Sequence, residues 1–289
     1  MFAPDAESWD IVRRRLRSAM PAVYPVQANP VRAAHPSPPP GSPAACGVCR
    51  GPVRPGFARC YQCGCHGLLG PGLLADAVVP ISYAVKGTGL AADLWRYKSW
   101  RPPSASAGAA LLALLLTFLH DHGPCVWAHA GMAAPGRLAV VPTGCGRPGP
   151  HPLLELTAPY LRLPLTRLAM RPGRQGRDLD IQRFNAERAV ARADVLLIDD
   201  TWVSGASAQS AAAALKLAGA RRVAIVVLGR HLDPADPRSA RLLAGLRPGP
   251  YDPSNCAVHP GSTTAGEQSF MAADRLIRII FFSRNQADH

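Results

Sequence analysis

Four cysteines stand in two CxxC pairs near the start of the chain. The pairs are Cys46-Gly-Val-Cys49 and Cys60-Tyr-Gln-Cys63, with ten residues between them. Each pair lets two thiolates face one ion from a tight turn, and two pairs complete a tetrahedral site of four sulfurs. In peptide zinc sites, metal binding contributes on the order of 10–16 kcal/mol to the free energy of folding, which is enough to fold so short a segment. The spacing therefore predicts a structural zinc ribbon at 46–66.

The residues around the ribbon leave its ligand set open. Cys65 offers a spare thiol beside Cys63, and His66 follows it. A redox role for the pairs is less favoured because no thioredoxin-like βαβ pattern surrounds them. A catalytic zinc is also less favoured, since four thiolates leave no open position on the metal.

The remaining cysteines are interpreted separately. Cys125 and Cys145 are expected to be ordinary buried thiols. Cys256 and His259 form a CxxH pair, which is too little for a metal site without ligands from elsewhere in the chain.

A second chemical pattern follows an apolar run in the middle of the chain. The run 195–198 is predicted to be a buried strand. It leads into Asp199-Asp200, then into a short loop of small and hydroxylated residues as far as Ser207, and then into a helix. A helix start offers free N–H groups and a positive dipole end to a phosphate. Gly205 lets the backbone approach an anion closely. Because ligands of α/β folds lie at the carboxyl ends of strands, we expect a phosphorylated ribose here; helix capping by the acids and serines is the alternative.

Strand and helix patterns alternate around these motifs. Strands are expected at 78–85, 138–141, 194–198 and 222–228, and helices at 90–97, 105–120, 152–161 and 207–218. This alternation predicts an α/β fold with a parallel sheet flanked by helices. The longest apolar stretch, 105–119, is shorter than the roughly 20 residues needed to cross a bilayer, so we expect a buried helix and no membrane span.

Composition divides the chain into four expected regions. They are a basic helix (at 7–20) with a Pro-rich linker at 1–45, the ribbon at 46–66, the α/β domain at 67–230 and an extension at 231–289. The formal net charge of +13 favours a polyanionic partner. Coding bias is the alternative, because only Lys86, Lys98 and Lys216 are lysines among the 32 basic residues. The absence of a signal-like N-terminus predicts a cytoplasmic protein, with an oligomer left open.

The run from Val195 to Ser207 resembles the phosphoribosyl-pyrophosphate (PRPP) motif of type I phosphoribosyltransferases. Combined with the cysteine ribbon, it resembles the ComF family, many of whose members are linked to DNA uptake. Tyr83, the 94–98 segment Leu-Trp-Arg-Tyr-Lys and the Val-Val-Pro at 140–142 agree in order. The resemblance implies a type I phosphoribosyltransferase fold behind a small zinc ribbon.

The resemblance also implies roles for particular residues. Asp199 and Asp200 would hold the ribose and act in catalysis, and Arg147 and Arg183 would face the pyrophosphate of PRPP, which carries Mg2+. The PRPP-binding residues would be Asp199, Asp200, Thr201, Val203, Ser204, Gly205, Ala206 and Ser207. Val203 departs from the family, since a Thr or Ser is usual there. The loop at 143–151 lacks the family's Arg-Gly-Phe-Asn stretch, and its literal GxGxxG is discounted because prolines interrupt it.

Two functions follow as hypotheses. The first is a phosphoribosyltransferase with an unknown acceptor. The second is a non-catalytic DNA-uptake or DNA-processing accessory that binds single-stranded DNA or protein partners through the ribbon and a basic surface. Salt-dependent DNA binding would favour the second hypothesis, and pyrophosphate release would favour the first.

Overall fold

A computed structural model of the chain covers most of the segment between the ribbon and residue 259. It describes residues 24–25, 45–70, 72–99, 103–143, 151–244, 246, 248–250, 252 and 255–259. The predicted helix at 7–20, Cys145 and Arg147 lie outside the described residues.

A mostly parallel sheet forms the centre of the molecule. Its strands are β1 (Tyr24–Pro25), β2 (Ala77–Val85), β3 (Arg137–Val140), β6 (Asp194–Trp202) and β7 (Arg222–Leu232), and their spatial order is β1-β2-β7-β6-β3. The four strands β2, β7, β6 and β3 are parallel, and β1 pairs antiparallel with the edge of β2. Strands β4 (Leu168–Met170) and β5 (Phe184–Ala186) make a separate antiparallel pair. The parallel strands therefore end together at one edge, where α/β ligand sites form.

Helices cover both faces of this sheet. They are α1 (Tyr61–Gly67), α2 (Gly89–Arg96), α3 (Ala105–Ala130), α4 (Pro152–Thr157), α5 (Ala206–Leu217) and α6 (Pro237–Leu243). Alternate residues of β7 show the layering. Ala224 and Val226 pack in the layer of α2 and α3, whereas Val223 and Ile225 pack in the layer of α5. The α/β class and the parallel sheet flanked by helices are thus as the sequence predicts.

Helix α3 is longer than the apolar stretch predicts. Ser104 caps its start by accepting from the N–H of Ala107, and Gly131 ends it in the left-handed conformation at φ 71°. It is 26 residues long and continues past Pro124, because Val126 and Trp127 are still buried in the core. By length and composition α3 could span a membrane, but 78% of its most apolar window is buried inside the fold.

Both ends of the described chain join the sheet or its core. The strand β1, within the predicted linker, pairs with Ser82 and Tyr83. After β7 the chain returns to the α3 layer, where Leu242, Leu246 and Val258 are buried in the same core. The described part of the predicted extension therefore packs on the α/β core rather than standing apart from it.

Candidate functional site

The four predicted ribbon cysteines come together in one cluster. The sulfur atoms of Cys46, Cys49, Cys60 and Cys63 all lie within 4.8 Å of one another, and those of Cys49 and Cys60 are 3.7 Å apart. A zinc tetrahedron with bonds of about 2.3 Å has S–S edges of about 3.8 Å. Hydrogen bonds with Cys49, Cys60 and Cys63 hold the pKa of the Cys46 thiol far below its ordinary value. The cluster could bind a metal ion such as zinc.

Local backbone structure aims the two cysteine pairs at one point. In the first pair, the N–H of Arg50 donates to the carbonyl of Cys46 at 2.9 Å, and Arg50 adopts φ 57°. In the second pair, the N–H of Gly64 donates to the carbonyl of Cys60 at 2.9 Å, because Cys60 immediately precedes α1. Cys65 is a free thiol outside the cluster of four sulfurs, so the geometry favours Cys63 as the ligand.

Two buried arginines join the ribbon to the sheet. Arg230 of β7 donates to the carbonyls of Trp202 and His231 at 2.9 and 2.8 Å, and a Cβ at Gly51 would overlap its guanidinium. Arg50 is also buried, and its carbonyl accepts from the hydroxyl of Tyr83 at 2.9 Å. Four thiolates around a divalent ion carry a net negative charge, which the guanidinium groups of Arg50 and Arg230 would partly offset. The ribbon is therefore built onto the edge where the parallel strands end.

The two acids lie at the carboxyl end of β6, as predicted. Side chains alternate along a strand, so Asp200 faces the layer of α2 and Asp199 faces the layer of α5. The Oδ2 atom of Asp200 accepts from the Tyr97 hydroxyl at 2.5 Å and from the Lys98 ammonium at 2.7 Å. Both donors follow α2 directly. The sequence drew attention to Tyr97 and Lys98 but did not predict that they hold Asp200.

The pKa values of the two adjacent acids are shifted in opposite directions. Burial, and then the charge of Asp200, raise the pKa of Asp199 to about 8. Burial also opposes ionisation of Asp200, but the charge of Lys98 and the hydrogen bonds from Lys98 and Tyr97 lower its pKa overall. At neutral pH the pair therefore carries one negative charge, which lies on Asp200 beside the Lys98 cation.

The loop after the acids is shorter than predicted. Strand β6 continues through Thr201 to Trp202, and α5 begins at Ala206, so only the residues Val203 to Gly205 connect them. The strand is longer because Trp202 is buried and Thr201 pairs with Gly229 of β7. Gly205 has φ 81°, and a Cβ there would overlap the Trp202 ring. This turn presents the start of α5, whose first N–H groups have no partner within the helix.

Arg183 lies beside this turn. It is buried, its Nη1 atom donates to the Ser207 hydroxyl at 3.2 Å, and its Nη2 atom donates to the carbonyl of Asp178. Its Nε atom is buried without a hydrogen-bond partner among the described residues. The predicted pyrophosphate residue Arg183 thus contacts the end of the predicted phosphate loop.

Two other arginines of the loop at 171–183 donate to side chains near its far end. Arg171 donates to Asn185 at 2.6 Å, and Arg174 donates to Gln182 at 2.6 Å. The N–H of Asp180 donates to the Ser210 hydroxyl at 2.9 Å, which fastens the loop to α5. Arg147 and the GxGxxG run lie outside the described residues. His151, at the end of that run, caps α4 and helps to lower the pKa of Asp200.

A groove of about 1010 Å3 lies between the ribbon and the carboxyl end of β7. Its charged and aromatic lining includes Arg54, Arg59, Arg230, Arg238, Asp233, Asp236, Phe57 and Tyr61. The ring of Tyr61 is 78% exposed, and Val203 of the turn also lines the groove, at 61% exposed. The groove is a feature that the sequence did not predict, because it depends on how the ribbon docks on the sheet.

The fold and site define an α/β protein with a mostly parallel sheet and a four-cysteine cluster suited to a metal such as zinc. No protein-family model matches the chain. A search of curated proteins finds no match either.

Proposed function

We propose that this protein binds PRPP as a cytoplasmic phosphoribosyltransferase-like protein of the ComF type. The observation that carries the proposal is the order of groups at the end of β6. Two acids near the end of a central parallel strand are followed by a tight Gly205 turn and by the first N–H groups of α5, of which that of Ala206 donates to the Ser204 hydroxyl at 3.3 Å. A helix cap alone would explain a serine in the turn, but it would not explain the buried Asp200 with its own cation.

The turn supplies the chemistry that a 5′-phosphate requires. The N–H groups at the start of α5 point towards the anion, and the Ser204 and Ser207 hydroxyls add donors. Arg183 brings a buried cation to Ser207, next to the start of α5. The exposed Val203 replaces a hydroxyl side chain, so backbone N–H groups would carry more of the phosphate.

The two acids would have different tasks at the ribose. Asp200 is held by Tyr97 and Lys98 through one oxygen, which leaves Oδ1 for a sugar hydroxyl. Asp199 would donate or accept, because its pKa of about 8 lies close to neutrality. Mg2+ would accompany PRPP and would neutralise part of the negative charge of its pyrophosphate.

Loss of pyrophosphate would build positive charge on the ribose ring, and the Asp200 carboxylate would stabilise that charge. Arg147 would offset charge on the departing pyrophosphate. Arg183, which touches Ser207, is better placed for the 5′-phosphate than for the pyrophosphate predicted from the resemblance. The loop at 171–183, where it lies against α5, would cover the phosphate and exclude water.

Thermal shift and product release test this proposal. Mg-PRPP should raise the Tm, since a ligand at about 100 times its Kd stabilises the folded state by about 2.7 kcal/mol. Ribose 5-phosphate should give a smaller shift because it lacks the pyrophosphate. Pyrophosphate release with a panel of nucleobases would identify a transferase. No shift with PRPP at millimolar concentration would contradict the proposal.

The groove supports a second candidate function, a DNA-processing accessory that binds single-stranded DNA. Its exposed aromatic rings, Phe57 at 62% and Tyr61 at 78%, could stack on bases, while arginines neutralise phosphates. Such binding should weaken steeply between two salt concentrations. Phe57→Ala/Tyr61→Ala should lose it, whereas Tyr160→Ala, exposed outside the groove, should not. No binding at low salt would remove this candidate.

A further inference from the structure

A second group of metal-ligating side chains lies on the face of the sheet opposite the ribbon. His122 and Cys125 are three residues apart on α3, and therefore share one face of the helix. Cys256 reaches the same point from the segment after α6. The ligand atoms of these three residues all lie within 4.8 Å of one another. Cys256 packs in the layer of α3, whereas Cys46 and Cys49 pack in the layer of α5.

His259 lies outside this group of three but next to it, and it is the candidate for a fourth ligand. Its Nδ1 atom is 3.9 Å from the sulfur of Cys256, across the CxxH spacing. The N–H groups of Val258 and His259 both donate to the Cys256 sulfur at 3.4 Å. Donors aimed at a sulfur favour its thiolate form, which is the form that binds a metal. The sequence alone did not show which further ligands could lie near this CxxH pair. In the fold, His122 and Cys125 of α3 lie beside Cys256.

The histidine on α3 is buried with an unused nitrogen. His122 is 5% exposed, and its Nε2 atom has no hydrogen-bond partner within the described part of the chain. The Phe118 ring packs against it, with centroids 5.5 Å apart. A buried polar atom without a partner is rare in native proteins and calls for an unplaced water or ion. A metal ion bound by the thiols would be coordinated by whichever His122 ring nitrogen faces them.

We propose that His122, Cys125, Cys256 and His259 form a second, structural zinc site. Two thiolates and two imidazoles make a closed tetrahedral set, and both thiols release their protons when the metal binds. Tetrahedral zinc places sulfur and nitrogen ligands about 3.6 Å apart, so the observed 3.9 Å between Cys256 and His259 needs only a small adjustment. In this proposal Cys125 is a metal ligand, whereas the sequence led us to expect an ordinary buried thiol.

The site would clamp the end of the described chain to the core. Gly123 and Pro124 lie between the two ligands on α3, and both residues weaken a helix. A metal that ties Cys125 to Cys256 would hold this stretch of helix and the segment at 255–259 together. Ala257 and Val258, buried beside the ligands, would anchor the same segment.

Metal counting on the full chain, purified under reducing conditions, tests the proposal. The wild-type protein should hold two zinc ions per chain, and Cys256→Ala/His259→Ala should hold one. Both changes lie outside the helices, so the ribbon should keep its zinc and far-ultraviolet circular dichroism should stay unchanged. Cys65→Ser, a thiol outside both clusters, should keep both ions.

Cobalt substitution gives a readout that does not depend on any variant. Co2+ added to metal-free wild-type protein should produce two tetrahedral spectra, one typical of four thiolates and one of two thiolates with two imidazoles. A single zinc per chain in the wild type, or two ions retained in Cys256→Ala/His259→Ala, would overturn the proposal. A Cys125–Cys256 disulfide found by mass spectrometry in the reduced preparation would overturn it as well.

Discussion

The Lys98 ammonium lies 2.7 Å from the Oδ2 atom of Asp200, which ties the residue after α2 to the carboxyl end of β6. The Tyr97 hydroxyl donates to the same oxygen at 2.5 Å. The Lys98 side chain is 34% exposed, whereas that of Asp200 is only 9% exposed. The acid is thus the buried member of the pair, and it depends on Lys98 for compensation of its charge.

Replacing this cation should destabilise the fold. Lys98→Met leaves a buried carboxylate with Tyr97 as its remaining strong donor, so we expect a loss of about 1–2 kcal/mol after allowing for the exposure of Lys98. Urea unfolding measures the change. Lys86→Met is the control, because the Lys86–Asp233 pair has side chains that are 66% and 36% exposed. Equal effects of the two variants would argue against a special role for Lys98.

Asp199 should make stability depend on pH. Its pKa is about 8 in the folded protein against an ordinary 3.8, so the folded state keeps a proton that the unfolded state loses. The resulting stability is fully present below about pH 4 and is lost as the pH rises through 8. Asp199→Asn stays neutral at every pH, so the fall in its Tm between pH 5 and 9 should be shallower than in the wild type.

The control for this pH profile is Asp178→Asn, which removes an exposed carboxyl. Its Tm curve should run parallel to that of the wild type. A parallel curve for Asp199→Asn too would mean that Asp199 is already ionised at neutral pH in the folded protein.

Val203 offers a gain-of-function test of the phosphate turn. Val203→Thr places a hydroxyl where type I phosphoribosyltransferases usually carry one, and a hydrogen bond to a charged group contributes about 1.5 kcal/mol. PRPP affinity should rise roughly tenfold. Val203→Ala, which removes exposed apolar surface without adding a donor, should leave the affinity unchanged. If Thr and Ala behave alike, the 5′-phosphate does not lie at this turn.

The ribbon should hold a zinc ion that stabilises the protein. Cys49→Ser removes a fully buried sulfur from the cluster, so it should release one zinc ion per chain. We expect a loss of at least about 3 kcal/mol, which is a fall of roughly 10 °C in Tm. Colorimetric zinc release and thermal melting measure both effects. Cys65→Ser should change neither, and zinc loss in that variant would make Cys65 a ligand.

Much of this site could be predicted from local sequence. The two CxxC pairs and the run from Val195 to Ser207 could be recognised as candidate sites from residue spacing alone, because tight turns and strand ends are local structures. The grouping of the four ribbon cysteines is confirmed. The boundaries were less accurate: β6 ends at Trp202 instead of Ile198, because a buried tryptophan and pairing with β7 extend the strand.

What the sequence missed depends on tertiary contacts. Asp200 and Lys98 are 102 residues apart, and Cys125 reaches Cys256 only because the chain returns to α3 after α6. No local pattern signals such pairs. The docking of Arg230 against the ribbon at Gly51 is of the same kind. Isolated ligand-type residues, such as the CxxH at 256–259, were the one available hint.

Calorimetric titration with Mg-PRPP tests the central claim most directly. The wild-type protein should bind one PRPP per chain. Asp199→Asn/Asp200→Asn should lose at least about 100-fold in affinity, since the charged hydrogen bond from Asp200 and the hydrogen bond from Asp199 to the ribose disappear. Glu155→Gln, which removes one exposed negative charge away from the site, should bind like the wild type and controls for the change in charge. Wild-type affinity in the double-asparagine variant would contradict the assignment of Asp199 and Asp200 to the PRPP site.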